Sequence, residues 1–251
     1  ERAAVPHHLI DVLDIDQSAT VAEFQAMARR ALGDCAARGV LPIVVGGSAL
    51  YIRAIVDQFE FPGTDPDLRD QLEQELEGVG PSALHERLAT LDPEAAARIQ
   101  PNNGRRVVRA LEVIALTGRP YQAALPEPVY ALPGVVQIGL DIDRPTLDAR
   151  IGERVQRMWE RGFVAEVAGL ADRGLRAGRT ASRALGYRQV LDFIDGAIDE
   201  QEALAATVRA TRRFARRQDS WFRRDSRISW LRYDRPDLVH VARTLLPGMG
   251  G

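Results

Sequence analysis

Leu41-Pro42-Ile43-Val44-Val45-Gly46-Gly47-Ser48 is the stretch on which the fold reading turns. A short apolar run entering paired glycines reads as a buried parallel strand that ends in a tight turn. Upstream, Val21, Phe24, Ala28, Ala31, Leu32 and Cys35 recur at the spacing of one helical face, which predicts a helix over Val21 to Arg38. Thr20 stands at its N-cap with Glu23 at the capping-box position, and Gly39 ends it. Downstream, a second helix is expected from Ser48 through Val56. Helix, strand, glycine turn and helix is the rhythm of a doubly wound α/β sheet.

The pattern changes at Phe61-Pro62-Gly63. From Asp65 to about Gly118 the strand signal vanishes and helical spacing takes over. Asp65-Pro66 and Asp92-Pro93 read as helix starts with proline in the first turn. Asn102-Asn103-Gly104 precedes a third helix, Arg105 to Thr117, stopped by Gly118. Residues 62–125 therefore read as an all-helical insertion between 1–61 and 126–251, rejoined through the Pro126 to Pro133 loop. Val135 to Ile142 returns as a strand, and Pro145 to Arg161 as a helix with Leu147, Ile151, Val155 and Met158 on one stripe. Gly162 interrupts before another helix to Asp172. A helix near 201–217 offers Leu204, Val208, Thr211, Ala215 and then Phe222 as its core face, and turns Arg209, Arg213, Arg216 and Arg217 away from it. Ile228 to Leu231 closes the series as a short strand.

The composition narrows the function. Of 251 residues 45% are hydrophobic, enough for a sizeable core, and the net charge is only −2. That balance argues against a general polyanion binder, but the charge is unevenly spread. Between Ala205 and Arg227 stand eight arginines and two aspartates; between Asp65 and Glu94, nine acids and two arginines. A local basic stripe suits a polynucleotide site. All 33 basic residues are arginine. The phosphate-loop signature GxxxxGK[ST] needs a lysine and so cannot lie within this sequence. Cys35 is alone, which leaves no disulfide framework and fits a reducing cytoplasm. No apolar run is long enough to span a membrane. The chain begins at Glu1 and reads as a fragment whose beginning is missing.

Two elements carry the chemistry. Ser182-Arg183-Ala184-Leu185-Gly186-Tyr187-Arg188-Gln189 sets two planar cations around a glycine. Thr211-Arg212-Arg213-Phe214-Ala215-Arg216-Arg217-Gln218-Asp219-Ser220-Trp221-Phe222-Arg223-Arg224 interleaves cations with aromatic rings. Guanidinium groups grip phosphate oxygens bidentately, and aromatic faces can support a base. Each feature has a plain structural reading as well. Gly46-Gly47-Ser48 could be an ordinary turn with Ser48 as N-cap. Arg105, Arg106 and Arg109 could be a solvated helix face, and Trp221 a core residue. His7 and His8 lack a third ligand nearby in sequence and are not read as a metal site.

In register, these pieces resemble the tRNA dimethylallyltransferase (tRNA isopentenyltransferase) family. They run in order from Pro6-His7-His8-Leu9-Ile10-Asp11 through Val45-Gly46-Gly47-Ser48-Ala49-Leu50-Tyr51 and Asp65-Pro66-Asp67-Leu68-Arg69 to Pro101-Asn102-Asn103-Gly104-Arg105-Arg106-Val107-Val108-Arg109, and end in the two arginine elements. The resemblance implies a P-loop NTPase-like α/β core with a parallel sheet, interrupted by a helical insertion that grips the tRNA anticodon stem-loop. It implies prenyl transfer from dimethylallyl diphosphate to N6 of the adenosine 3′ of the anticodon, by a monomer acting with Mg²⁺. It places Arg183 on the diphosphate, with Arg188 beside it, and Ser48 at the target adenosine, where the family commonly has threonine. It assigns Ser48, Arg69, Arg105, Arg106, Val107, Val108, Arg109, Arg216, Arg217, Gln218 and Trp221 to tRNA.

In the family, the phosphate loop and the general-base aspartate precede the matched stretch; Asp11, Asp14 and Asp16 are not promoted into that role. Three other readings stay open: an adenylate isopentenyltransferase, a P-loop nucleotide kinase, and a non-catalytic RNA-binding module. The 251-residue chain is expected to bind tRNA weakly and to transfer little or no prenyl group. Measurable transfer onto an unmodified tRNA by this chain would overturn that expectation.

Overall fold

The computed structural model describes residues 4–18, 20–59, 61–121, 126–178 and 180–246. They fall into two compact units: Glu1–Asp57 with Tyr130–Gly251, and Gln58–Val129.

The first unit opens with α1 (Val21–Ala37), whose start is the expected capping box. The Thr20 hydroxyl accepts from the Glu23 N–H, and the Glu23 carboxylate accepts from the Thr20 N–H. Helix α2 (Ala49–Val56) follows. Ala28, Ile55 and Val56 form a small core between α1 and α2 with Phe24, Leu32, Ile52 and Tyr130. Phe24 meets Tyr51 edge to face, with ring centroids 4.9 Å apart. Side chains of α1 also finish α2. Gln25 donates to the Ala54 carbonyl at 2.7 Å, and Arg29 donates to Ile55 and Asp57 carbonyls at 3.2 and 2.6 Å. These are orphan acceptors of a helix C-terminus, and a cation there also meets the negative end of the dipole.

The strand expected at Leu41 to Val45 does not form. Ile43 is 80% exposed and Val45 89%. A strand exists only as a member of a ladder, and among the described residues the only ladder joins two other segments. Apolar sequence without a neighbour to hydrogen-bond stays extended and unpaired.

The second unit is helical. Its elements are α3 (Pro66–Leu91), α4 (Pro93–Arg98) and α5 (Gly104–Thr117). The Asp-Pro starts behave as expected: the Asp65 carboxylate accepts from the N–H groups of Asp67 and Leu68, and Asp92 from Ala95. Helix α3 breaks at Gly80, at φ +81°, because Pro81 next to it has no N–H and forces its predecessor out of helical geometry. Asn103 caps α5, and Gly118 ends it in the left-handed region. Leu72, Leu84, Leu88, Ile99, Val107, Val108 and Leu111 fill the core of this unit.

The chain then returns through β1 (Gln137–Asp141), α6 (Arg144–Glu160), α7 (Phe163–Asp172), α8 (Tyr187–Ile194), α9 (Glu200–Phe222), β2 (Ile228–Arg232) and α10 (Leu238–Thr244). Strands β1 and β2 pair in parallel with Gly139 opposite Trp230. A Cβ at Gly139 would lie 2.6 Å from the indole, so this strand position admits only glycine. Phe163, Val167, Leu175, Val190 and Leu191 make the core beneath α6–α8. In α9 the buried residues are Ala203, Thr207 and Ala210, one position out of step with the expected Leu204, Val208 and Thr211 of the stripe that continues to Ala215 and Phe222. Small residues win there because α9 packs closely on both α6 and α8.

Each unit is organised by one buried carboxylate. Asp57, fully buried, accepts from Arg53 Nε at 2.7 Å and from Arg227 at 2.7 and 3.2 Å. Arg227 also holds Asp225 and lies 4.2 Å from the Tyr130 ring centroid. That shared guanidinium holds the Asp225 carboxyl below its usual range, and the two carboxylates hold the Arg227 guanidinium above its own. In the helical unit Glu112, likewise buried, accepts from Arg69, Arg109 and the Asp65 N–H. Burial pushes the Glu112 carboxyl up, but the hydrogen bonds from Arg69, Arg109 and Thr64 outweigh it and leave it below the ordinary range.

Asp57→Asn keeps the shape and removes the charge; stability should fall by about 3 kcal/mol, as for other broken buried pairs. All three tryptophans lie in the first unit, so their fluorescence reports its urea midpoint; a loss below about 1 kcal/mol would contradict the hub. For Glu112 the native pKa is depressed, so its contribution is complete above the ordinary carboxyl range, around pH 4–5, and disappears as pH falls through the lowered native value. The protection factors of amides in residues 66–117, each referred to the intrinsic exchange rate at that pH, should therefore fall on acidification in the parent chain and change less steeply in Glu112→Gln.

Candidate functional site

Gly46, Gly47 and Ser48 lead into α2, and Ser48 occupies its N-cap position without using its side chain as a cap. Its exposed hydroxyl is therefore left over for a ligand. The Gln218 amide of α9 donates to the Gly47 carbonyl at 2.8 Å. A Cβ at Gly47 would stand 2.0 Å from Gln218 Nε2, so a larger residue would push the Gln218 amide away from this hydrogen bond. This one hydrogen bond brings together two sites chosen separately from sequence, Ser48 and Gln218. Trp221 lies one turn further along α9, half-buried, with Arg216 and Arg217 exposed beside it. Arg217 sits 5.8 Å from the Phe214 ring centroid.

Arg183 and Arg188 flank a glycine that has no substitute. Gly186 adopts φ +93°, and a Cβ there would lie 2.9 Å from the Phe163 ring. Gln189 accepts from the Gly186 N–H at 3.0 Å, which opens α8. Tyr187 is pinned by a 2.6 Å hydrogen bond to Glu166 and by tilted contact with Phe163. Burial, then the Glu166 hydrogen bond and charge, push its phenol up to about 12, so it stays a neutral donor. Arg183 closes the 3-10 turn Ala181–Arg183. Neither Arg183 nor Arg188 has an ion pair or a side-chain hydrogen bond among the described residues, and both are exposed. Guanidinium groups with no acid beside them suit an anion.

Helix α9 supports both groups. Thr207 packs against the Gly186 position, and Gln218 holds Gly47. Eleven residues separate those two contacts, about 16 Å along the helix axis.

In the helical unit the expected tRNA residues separate into three kinds. Arg105 is exposed and has no ion pair among the described residues; Arg106 is exposed, with its N–H on the Asn103 side chain. Arg69 and Arg109 are engaged: both bind Glu112, and Arg109 also donates to the Pro62 and Gly63 carbonyls at 2.7 and 3.1 Å. Val107 and Val108 are 0% and 1% exposed, so their side chains pack the core.

Several organising residues were not singled out from sequence. Glu112 had a signal: it lies four residues after Val108 on the apolar face of α5, with Arg109 at i−3. Asp57 had half of one, Arg53 at i−4. Nothing local announced Arg227, whose partner is 170 positions away.

Among the described residues no group of three or more His, Cys, Asp or Glu side chains converges as a metal site, and His7 is bonded to the Val5 carbonyl. No helix among the described residues is long and apolar enough to cross a membrane.

The IPP transferase family model matches residues 1–225. A tRNA dimethylallyltransferase of Nocardioides sp. is 59% identical over 96% of this chain and 78% of its own. One from Kineococcus radiotolerans is 60% identical over 98% of this chain and 78% of its own. Among solved structures, the tRNA isopentenylpyrophosphate transferase of Bacillus halodurans is similar at TM-score 0.65 and 39% identity, over 97% of this chain and 79% of that one. A eukaryotic dimethylallyltransferase acting on tRNA shares the fold at TM-score 0.77, with 22% identity over 97% and 66% of the two chains. The arginine elements, the glycine turn and the helical unit thus stand in a match that runs nearly end to end, and the chain belongs to the IPP transferase family.

Proposed function

We propose that this chain supplies the tRNA-receiving and diphosphate-facing residues of the reaction that names its curated relatives: transfer of a dimethylallyl group from dimethylallyl diphosphate to tRNA, on N6 of the adenosine 3′ of the anticodon. The observation that carries the reading is the near full-length likeness to tRNA dimethylallyltransferases at 59–60% identity. A bond forms between N6 and C1 of the donor while the C1–O bond to diphosphate breaks, and N6 gives up a proton to a base. Loop bases can be splayed from their stack at a cost of a few kcal/mol, which makes a tRNA loop a suitable acceptor.

The residues divide that work by their surroundings. Arg183 stabilises charge growing on the departing diphosphate, a task for a guanidinium fixed before the reaction begins, and Arg188 adds a second donor from the same element. Ser48 offers its unused hydroxyl to the adenosine, positioned by the turn that Gln218 clamps. Arg216, Arg217 and Trp221 receive tRNA on α9, and Arg105 and Arg106 receive phosphates at the start of α5. Arg69 and Arg109 serve by holding Glu112, which fixes the α5 start they support; Val107 and Val108 serve as its core. Mg²⁺ belongs with the donor diphosphate in the phosphate loop of the family. The protein works as a monomer in the cytoplasm.

In an enzyme that carries the family's phosphate-loop segment, Arg183→Ala should lower kcat by on the order of 10²–10³ while tRNA affinity changes little. Equal losses in both would reduce Arg183 to a binding residue. On the present chain, Arg105→Ala should flatten the salt dependence of tRNA binding by about 1 in slope. An unchanged slope would remove that contact.

A further inference from the structure

The arginines at the C-terminal end of α9 separate into two populations. Arg209 is paired with Glu202; Arg212 donates to the Asp148 carbonyl; Arg223 binds Asp141 and Asp219 and lies 3.9 Å from the Trp230 ring centroid. Arg213, Arg216, Arg217 and Arg224 are all exposed and have no ion pair or side-chain hydrogen bond among the described residues. At 3.6 residues per turn, Arg213, Arg216, Arg217 and Ser220 fall within about 100° of the helix circumference. Arg224 sits in the turn that continues the helix, its N–H on the Trp221 carbonyl at 3.2 Å. It lines an open groove of about 470 Å³ together with Arg216, Arg217, Ser220 and Trp221. The stripe from Arg213 to Arg224 covers twelve residues, about 16 Å of rise.

A solvated face is the plain alternative, but it leaves like charges stacked. Arg213 and Arg217 stand at i and i+4, a spacing at which like charges repel and an acid would normally be placed. The acids nearby are already occupied by the other population. Such a face gains most when a polyanion is laid along it. Its length spans a few successive phosphates of one strand, and counterion release supplies the driving force.

We infer that Arg213 and Arg224 extend the α9 surface into a continuous track for the phosphate backbone of RNA, with Arg216 and Arg217 between them and Trp221 at its edge. The inference rests on the tRNA reading above and adds to it the length, direction and end residues of the track. Phosphate contacts of this kind set position without reading sequence.

The test is binding of a labelled anticodon stem-loop RNA by the full chain, titrated across a salt series. Arg213→Ala and Arg224→Ala should each lower the slope of log K against log salt by about 1, and the double variant by about 2. Arg213→Lys should restore the parental slope, because a point charge suffices for a phosphate. Arg209→Ala, whose guanidinium is committed to Glu202, should leave it unchanged. If the Arg213 and Arg224 variants keep the parental slope while Arg216→Ala lowers it, the track is overturned and the tRNA reading stands. If Arg216→Ala also leaves the slope unchanged, both fall. An equal drop in slope for Arg209→Ala would overturn the sorting of the arginines. Unchanged far-UV dichroism and Tm confirm that these surface variants fold.

Discussion

A carboxylate taken out of water must be neutralised where it stands, and Asp57 is the place where this chain does so most completely. With its side chain fully buried, it draws Arg53 from the preceding turn and Arg227 from the residue before β2. Arg29 of α1 closes on the Asp57 backbone carbonyl. Breaking one partner would strand the others in a poorly solvated place. The helix that ends at Asp57 begins at Ser48, and the strand that begins after Arg227 follows the end of α9. The hub therefore fixes the distant ends of the two elements that Gln218 and Gly47 join directly. Glu112 has the same role in the helical unit, where it ties the start of α3 to α5 through Arg69 and the Asp65 N–H.

This constraint explains how a chain whose 33 basic residues are all arginine can use one residue type for two purposes. Arginines that meet a carboxylate or a carbonyl become part of the framework: Arg53, Arg69, Arg109, Arg212 and Arg227. Those facing solvent without an acid keep a full field for an anion: Arg183, Arg188, Arg216 and Arg217. The near-neutral net charge counts both populations against 35 acids, so it hides the uneven distribution of acids between them. The local cationic surfaces are what remains.

Much of this was legible in the sequence where the physics is local. Capping residues placed the starts of α1, α3, α4 and α5, because an Asp, Thr or Asn side chain meets the N–H groups two or three residues on. Gly47 and Gly186 stood out as glycines: a side chain at Gly47 would displace the Gln218 amide, and Gly186 combines a positive φ with the Phe163 ring against it. The family resemblance was carried by motifs and is upheld by the match over residues 1–225. What failed depended on partners far along the chain. Leu41 to Val45 has strand composition but no ladder to join. The α9 stripe shifted by one residue because close packing against α6 and α8 selects Ala203, Thr207 and Ala210 over larger neighbours. Arg69 and Arg109 read as RNA contacts by position, and the fold adds that both are also bound to Glu112, a carboxylate whose burial only the fold reveals.

The division between framework and free arginines can be measured residue by residue with an arginine-selective dicarbonyl reagent, read by mass spectrometry with and without an anticodon stem-loop RNA. Arg53, Arg69 and Arg227 should resist modification in both conditions. Arg183, Arg188, Arg216 and Arg217 should react in the free protein and be protected by RNA. Fast modification of Arg227 in the folded protein, or reactivity of Arg216 and Arg217 that RNA leaves untouched, would contradict the account.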